Sequence, residues 1–127
     1  VTLAEGSPVR EQTATAPASV VVHLDEGDPD KHASVLRNLR NLHAELTDST
    51  IELVVHGPGI GAVLQNSPHA AELRAAITAG TTVVACRNTM RALDIAPGQL
   101  IPGVHTVNSG VAELVQRQTQ GWVYIRP

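Results

Sequence analysis

Aromatic residues are nearly missing from this sequence: Trp122 and Tyr124 are the only two, and there is no phenylalanine. Proteins that hold single-stranded nucleic acid stack its bases on several exposed rings. Two rings cannot supply such a platform. A basic field is missing as well, since nine Lys and Arg stand against twelve Asp and Glu for a net charge of −3, so nothing attracts a phosphate backbone. Nucleic acid is thereby excluded as a primary ligand. No apolar run approaches the ~20 residues that carry a helix across a bilayer, so no membrane span is expected. Cysteine is represented once, by Cys86. A lone thiol forms no intrachain disulfide, no Cys-x-x-Cys pair and no multi-thiolate zinc site. Cys86 acts alone or with another molecule.

What the chain does contain is aliphatic: sixteen Val, twelve Leu, six Ile and sixteen Ala among 127 residues. That is enough for one core in one ordinary domain. Residues 1–18 mix Ser, Thr, Pro, Ala and charge without periodicity and read as a flexible tail. From Ser19 onward two signals alternate. Short branched apolar runs mark strands at Ser19–Leu24, Ile51–His56, Thr81–Ala85, Val104–Val107 and Trp122–Ile125. Between them, Asp28-Pro29 reads as a helix cap followed by proline, and Val35, Leu39, Leu42 and Leu46 form one buried helical stripe. A short helical piece is expected over Ile60–Gln65. Ser67-Pro68 repeats the cap signature, Gly80 suits a helix C-terminus, a short helix follows Cys86, and Ser109 caps a helix that runs to Thr119. Strands alternating with helices predict an α/β fold, a three-layer α/β/α sandwich on a mostly parallel five-stranded sheet spanning residues 19–127.

In such folds reactive groups gather outside the carboxyl ends of the strands. That rule points to His23, His56, Cys86 and Ser109 at one rim. Cys86 sits where a strand passes into a helix, a place where unpaired backbone N–H groups stabilise a thiolate. The amides of Asn88 and Thr89 and the charge of Arg87 are expected to hold that anion, with His56 and Gly57 lining the pocket. The motif Gly57-x-Gly59-x-x-Ala62 resembles a dinucleotide fingerprint only formally, because it follows the second strand, carries Pro58 and lacks a ribose-binding acid. No cofactor is expected. His23, His56 and Cys86 are residue types that zinc accepts, yet none is closely spaced and a fourth ligand is missing. No metal is expected, and the histidines read as hydrogen-bonded rim residues. His32, His43 and His69 fall on helices and read as solvated. Ser109 lacks a nucleophile elbow and reads as a helix cap.

Three blocks, IELVVHGPGIGAVL, TTVVACRNTM and LIPGVHTVNSGVAELVQRQTQGWVYIRP, taken in order, make the chain resemble the DsrE/DsrF-like family, also called the intracellular sulfur oxidation or YchN-like group. The resemblance covers residues 19–127. It implies an α/β/α domain related to the flavodoxin architecture, a homo-oligomer (trimer or hexamer), cytoplasmic placement, and a cysteine that carries sulfur as a persulfide between donor and acceptor proteins. Cys86 is the residue that matches this cysteine. The other reading of the same rim is a non-catalytic oligomeric module that binds a small ligand. Trp122 and Tyr124 fall in the closing signature and read as structural.

Overall fold

The computed structural model describes residues 6–12 and 17–127. The expected tail thus lies partly outside the described residues, at 1–5 and 13–16, and its described part holds no helix or strand. Five strands form one all-parallel sheet: β1 (Ser19–Leu24), β2 (Thr50–Val55), β3 (Thr82–Cys86), β4 (His105–Val107) and β5 (Val123–Ile125). Their order across the sheet is β4-β3-β2-β1-β5. The chain therefore steps outward from β1 through β4, then returns to pair its last strand with the free edge of its first. The helical crossover that makes this return, Gly110–Thr119, runs on the face opposite the helices Pro29–Glu45 and Ala70–Thr78, and it sets β5 beside β1.

The helices are α1 (Pro29–Glu45), α2 (Ala70–Thr78), α3 (Arg87–Ala92) and α4 (Gly110–Thr119), with 3-10 turns at Gly57–Val63 and Pro97–Gln99. Asp28 caps α1 as its sequence demands, its side chain accepting from the Asp30 amide at 2.9 Å, with Pro29 in the first turn. One layer buries Val20, Val22, Leu24, Leu53 and Val55 of the sheet against Val35, Leu36 and Leu39 of α1 and Leu73 of α2. The alternate strand residues, Val21, Val54 and Val84, pack on Leu114 of α4. Both faces of the central strands are covered, which is why they read as unbroken apolar runs.

Several expectations shift. His32 is buried, not solvated, with its Nε2 hydrogen-bonded to the Glu26 carbonyl. Its position at spacings of three, four and seven from Val35, Leu36 and Leu39 places it on the buried stripe. His43 and His69 are half-buried, and His43 Nε2 meets Thr81 Oγ1 at 2.6 Å. Ser67-Pro68 does not open a helix directly. The Ser67 hydroxyl accepts from the His69 amide at 3.1 Å, closing a turn before α2 starts at Ala70. Trp122 precedes β5 and lies under the Arg117 guanidinium, 4.4 Å from its ring centre.

That arginine belongs to a cluster that pins α4. Glu52, mid-strand in β2 and 1 % exposed, receives Arg117 Nη2 at 3.1 Å, while Arg117 Nε donates to Glu113 at 3.1 Å. Burial, reinforced by the neighbouring Glu113 carboxylate, pushes Glu52 up to about 7 despite Arg117. A carboxyl raised in the folded state binds a proton that the unfolded chain has released. Stability should therefore fall as pH rises from about 4.5 to about 7, this group's contribution being fully present below that window and lost above it. We expect Glu52→Gln to remove roughly 1–3 kcal/mol of this decline. Urea unfolding at pH 4.5, 6 and 7.5 measures it, and equal slopes in both proteins would refute the assignment.

Candidate functional site

The rim predicted from the sequence exists. His23 and Cys86 lie at the ends of β1 and β3, and His56 directly follows β2. Side chains alternate along a strand, so His23, His56 and Cys86, each two residues beyond Val21, Val54 and Val84, face the α4 side. Ser109 caps α4 by accepting from the Ala112 amide at 3.1 Å. The helix then begins with Gly110 lying directly on the rim. A Cβ on Gly110 would stand 3.1 Å from that of His56 and 3.2 Å from that of Cys86. A side chain there would have to push His56 or Cys86 aside by a few tenths of an ångström, and glycine lets the start of α4 sit this close.

The result is an amide cradle around the thiol. Cys86 is 5 % exposed, and burial by itself would push its pKa up. The backbone N–H of Gly110 and the amide and hydroxyl of Thr89 are the main groups that offset this, and the thiol is held below its ordinary value. Two helix starts converge on one sulfur, and their positive ends add to the effect. Thr89 is fixed in turn, because its hydroxyl oxygen accepts from the Gly57 amide at 2.8 Å, leaving its proton free for the sulfur. Asn88 is tied to the β4 exit through its amide, which donates to the Asn108 carbonyl at 3.2 Å. Arg87 points elsewhere. It is exposed and donates from Nε to Thr106 Oγ1 at 3.1 Å, so it borders a groove with Asn108 and Ser109 while backbone dipoles serve the thiolate.

Beside the cradle is a second constellation that the sequence reading did not assemble. His23 Nε2 and His56 Nε2 are 2.6 Å apart. Their ring centres are separated by 4.8 Å at an interplanar angle of 20°, so with nitrogens this close the rings meet nitrogen to nitrogen rather than face to face. His23 Nδ1 meets the Tyr124 hydroxyl at 2.6 Å, and Asp25 Oδ2 stands 4.0 Å from His23 Nε2. Asp25 Oδ1 receives Arg126 Nη2 at 2.8 Å. Burial first, and then the facing His56, lower the pKa of His23, against the pull of Asp25. Tyr124, read as structural, is hydrogen-bonded into this rim. Asp25 carried one signal in the sequence: it lies two residues beyond His23, on the same side of an extended chain.

The comparisons with known proteins agree with this architecture. Residues 19–127 match the family model described as the DsrE/DsrF-like family. A structure of the protein of unknown function MTH1491 from Methanobacterium thermoautotrophicum is 37 % identical, with a TM-score of 0.84 over 87 % of this chain and 99 % of that one. The ychN protein from E. coli, at 16 % identity, aligns over 88 % of this chain and all of its own with a TM-score of 0.73. BT1422 from Bacteroides thetaiotaomicron, at 12 % identity, covers 86 % of this chain and 94 % of its own with a TM-score of 0.71. These last two show the fold alone. No curated protein matches. Among the described residues no helix is long and apolar enough to cross a membrane.

Proposed function

The chain belongs to the DsrE/DsrF-like family, and we propose that it handles sulfur, accepting sulfane sulfur on Cys86 and passing it to a partner. The observation that carries this reading is the position of the Cys86 side chain, between the first residues of α3 and Gly110 at the start of α4, where the surrounding backbone groups lower its pKa. A thiolate is the nucleophile in sulfur exchange, and a lowered pKa raises its population at neutral pH. The Cys86 thiolate attacks the outer sulfur of a donor persulfide. A new sulfur–sulfur bond forms, the donor's bond breaks, and the donor departs as a thiolate that takes up a proton. The terminal sulfur on Cys86 meets the same N–H groups. With no second cysteine in the chain, release requires an external thiolate that attacks this outer sulfur and regenerates Cys86.

Self-association into a homo-oligomer belongs to the same reading. Val111 and Val115 lie four residues apart on α4 and are 56 % and 57 % exposed, a short apolar strip on an otherwise polar helix face.

Incubation with inorganic polysulfide, a donor small enough for a nearly enclosed thiol, followed by intact-mass measurement, tests the proposal. We expect the mass of one added sulfur, reversed by a thiol reductant and lost in Cys86→Ser. A protein that stays unmodified while its thiol still titrates would instead favour a ligand-binding module at this rim.

A further inference from the structure

We propose that His23, His56 and Asp25 form a binding site for a divalent transition-metal ion of the zinc class, separate from the Cys86 thiol. Sequence spacing gave no reason to expect a metal, because the three residues come from two strand ends that only the β1/β2 pairing brings together. In the structure one donor atom from each lies within 4.8 Å of the other two. Cys86, the third ligand type weighed from the sequence, is not in this group; Asp25 takes its place.

The donor types are those a metal seat needs. Two imidazole nitrogens facing each other at 2.6 Å leave room for one hydrogen between them, so at least one nitrogen offers a lone pair. A cation that displaces this hydrogen frees the second nitrogen's lone pair, and both nitrogens then face the space between the rings. Two imidazoles and a carboxylate form a set that zinc accepts in open sites, with a fourth position left to water or an outside ligand. Calcium and magnesium prefer all-oxygen shells, and cuprous ions prefer sulfur. Tetrahedral ligation at ~2.0–2.2 Å places ligand atoms about 3.3 Å apart. The His23–His56 pair must open slightly and Asp25 must close slightly, movements within reach of side-chain rotation.

The surroundings are those of a supported site. Metal-binding histidines usually engage their second ring nitrogen, and ligating carboxylates are usually hydrogen-bonded. His23 Nδ1 is held by the Tyr124 hydroxyl, and the far oxygen of Asp25 is held by Arg126. Both supports come from β5 and the residue after it, which the β1–β5 pairing sets beside the histidines. With one oxygen committed to Arg126, Asp25 keeps the other for the histidines.

Zinc and cobalt as bare ions are the probes. The full chain, stripped with a chelator and dialysed, should take up one Zn²⁺ per chain in competition with a chromophoric chelator. We expect His23→Ala and His56→Ala to weaken binding at least about 100-fold, and Tyr124→Phe, which keeps the ring, to weaken it about 10-fold. Circular dichroism confirms that each variant is folded. Co²⁺ should give tetrahedral ligand-field bands without a thiolate charge-transfer band. Absence of uptake at micromolar Zn²⁺, affinity unchanged in folded His23→Ala and Tyr124→Phe proteins, or a thiolate band with Co²⁺ would each overturn the proposal. None of these readouts depends on sulfur transfer, so the two readings fail separately.

Discussion

Gly59→Ala should lower the melting temperature by about 10–20 °C. The added Cβ would lie 2.4 Å from the Leu24 carbonyl oxygen, 2.9 Å from its carbon and 3.1 Å from Asp25 Cα. All three are backbone atoms at the end of β1, so no side chain can rotate away. Either the 57–63 turn lifts off the strand or β1 bends. Leu24 O already accepts from the His56 amide at 3.2 Å, so the same shift pulls His56 away from His23. A cost of about 3–5 kcal/mol follows from overpacking against rigid backbone. Gly98→Ala is the control: a Cβ there meets nothing within 4 Å, and its effect should stay within about 0.5 kcal/mol. Thermal melts of both variants decide the matter, and a loss below about 3 °C in Gly59→Ala would show that this contact is soft.

Thr89→Val should raise the apparent pKa of Cys86 by about one to two units. Hydrogen bonds to charged groups contribute about 1.5–3 kcal/mol, and one pKa unit is about 1.4 kcal/mol. Valine keeps the branched shape but removes the hydroxyl that donates to the sulfur and accepts from Gly57. A higher pKa means less thiolate at neutral pH, so alkylation by a small reagent at pH 7 should slow about tenfold or more. Above both pKa values the two proteins should react at similar rates. A rate–pH profile over pH 5–10 reads this directly, and superimposable profiles would remove the hydroxyl from the cradle. Loss of the partner to the Gly57 amide also costs roughly 1 kcal/mol of stability, which is separable because stability does not move the profile's midpoint.

The local features of the molecule were legible in its sequence, and the features that depend on register were not. β1, β2 and β3 announce themselves because residues such as Val20–Val22, Leu53–Val55 and Val83–Ala85 are buried on both faces. Cys86 could be placed at a strand end, and Ser109 at a helix start, from neighbouring residues alone. Helix starts were less secure: Pro68 serves a turn, because Ser67 closes on His69 before the helix begins. The Tyr124–His23 and Arg126–Asp25 contacts each join residues 101 apart, and Arg117 reaches Glu52 across 65. Such contacts follow from the order β4-β3-β2-β1-β5, which no local pattern encodes. Gly110 shows the same limit. Its sequence context marks a helix start, whereas its reason for being glycine is the pair of side chains beneath it.

The pairing of the last strand with the first has a consequence for synthesis. Ribosomes add ~5–20 residues per second, so about 5–20 s separate the making of His23 and Asp25 from that of Tyr124 and Arg126. Gly110, the last part of the thiol's cradle, emerges earlier. During that interval the outer edge of β1 lacks its partner, an open strand edge that invites pairing with another chain. Residues 123–126 therefore complete the histidine cluster and cover the outer edge of β1 in a single step.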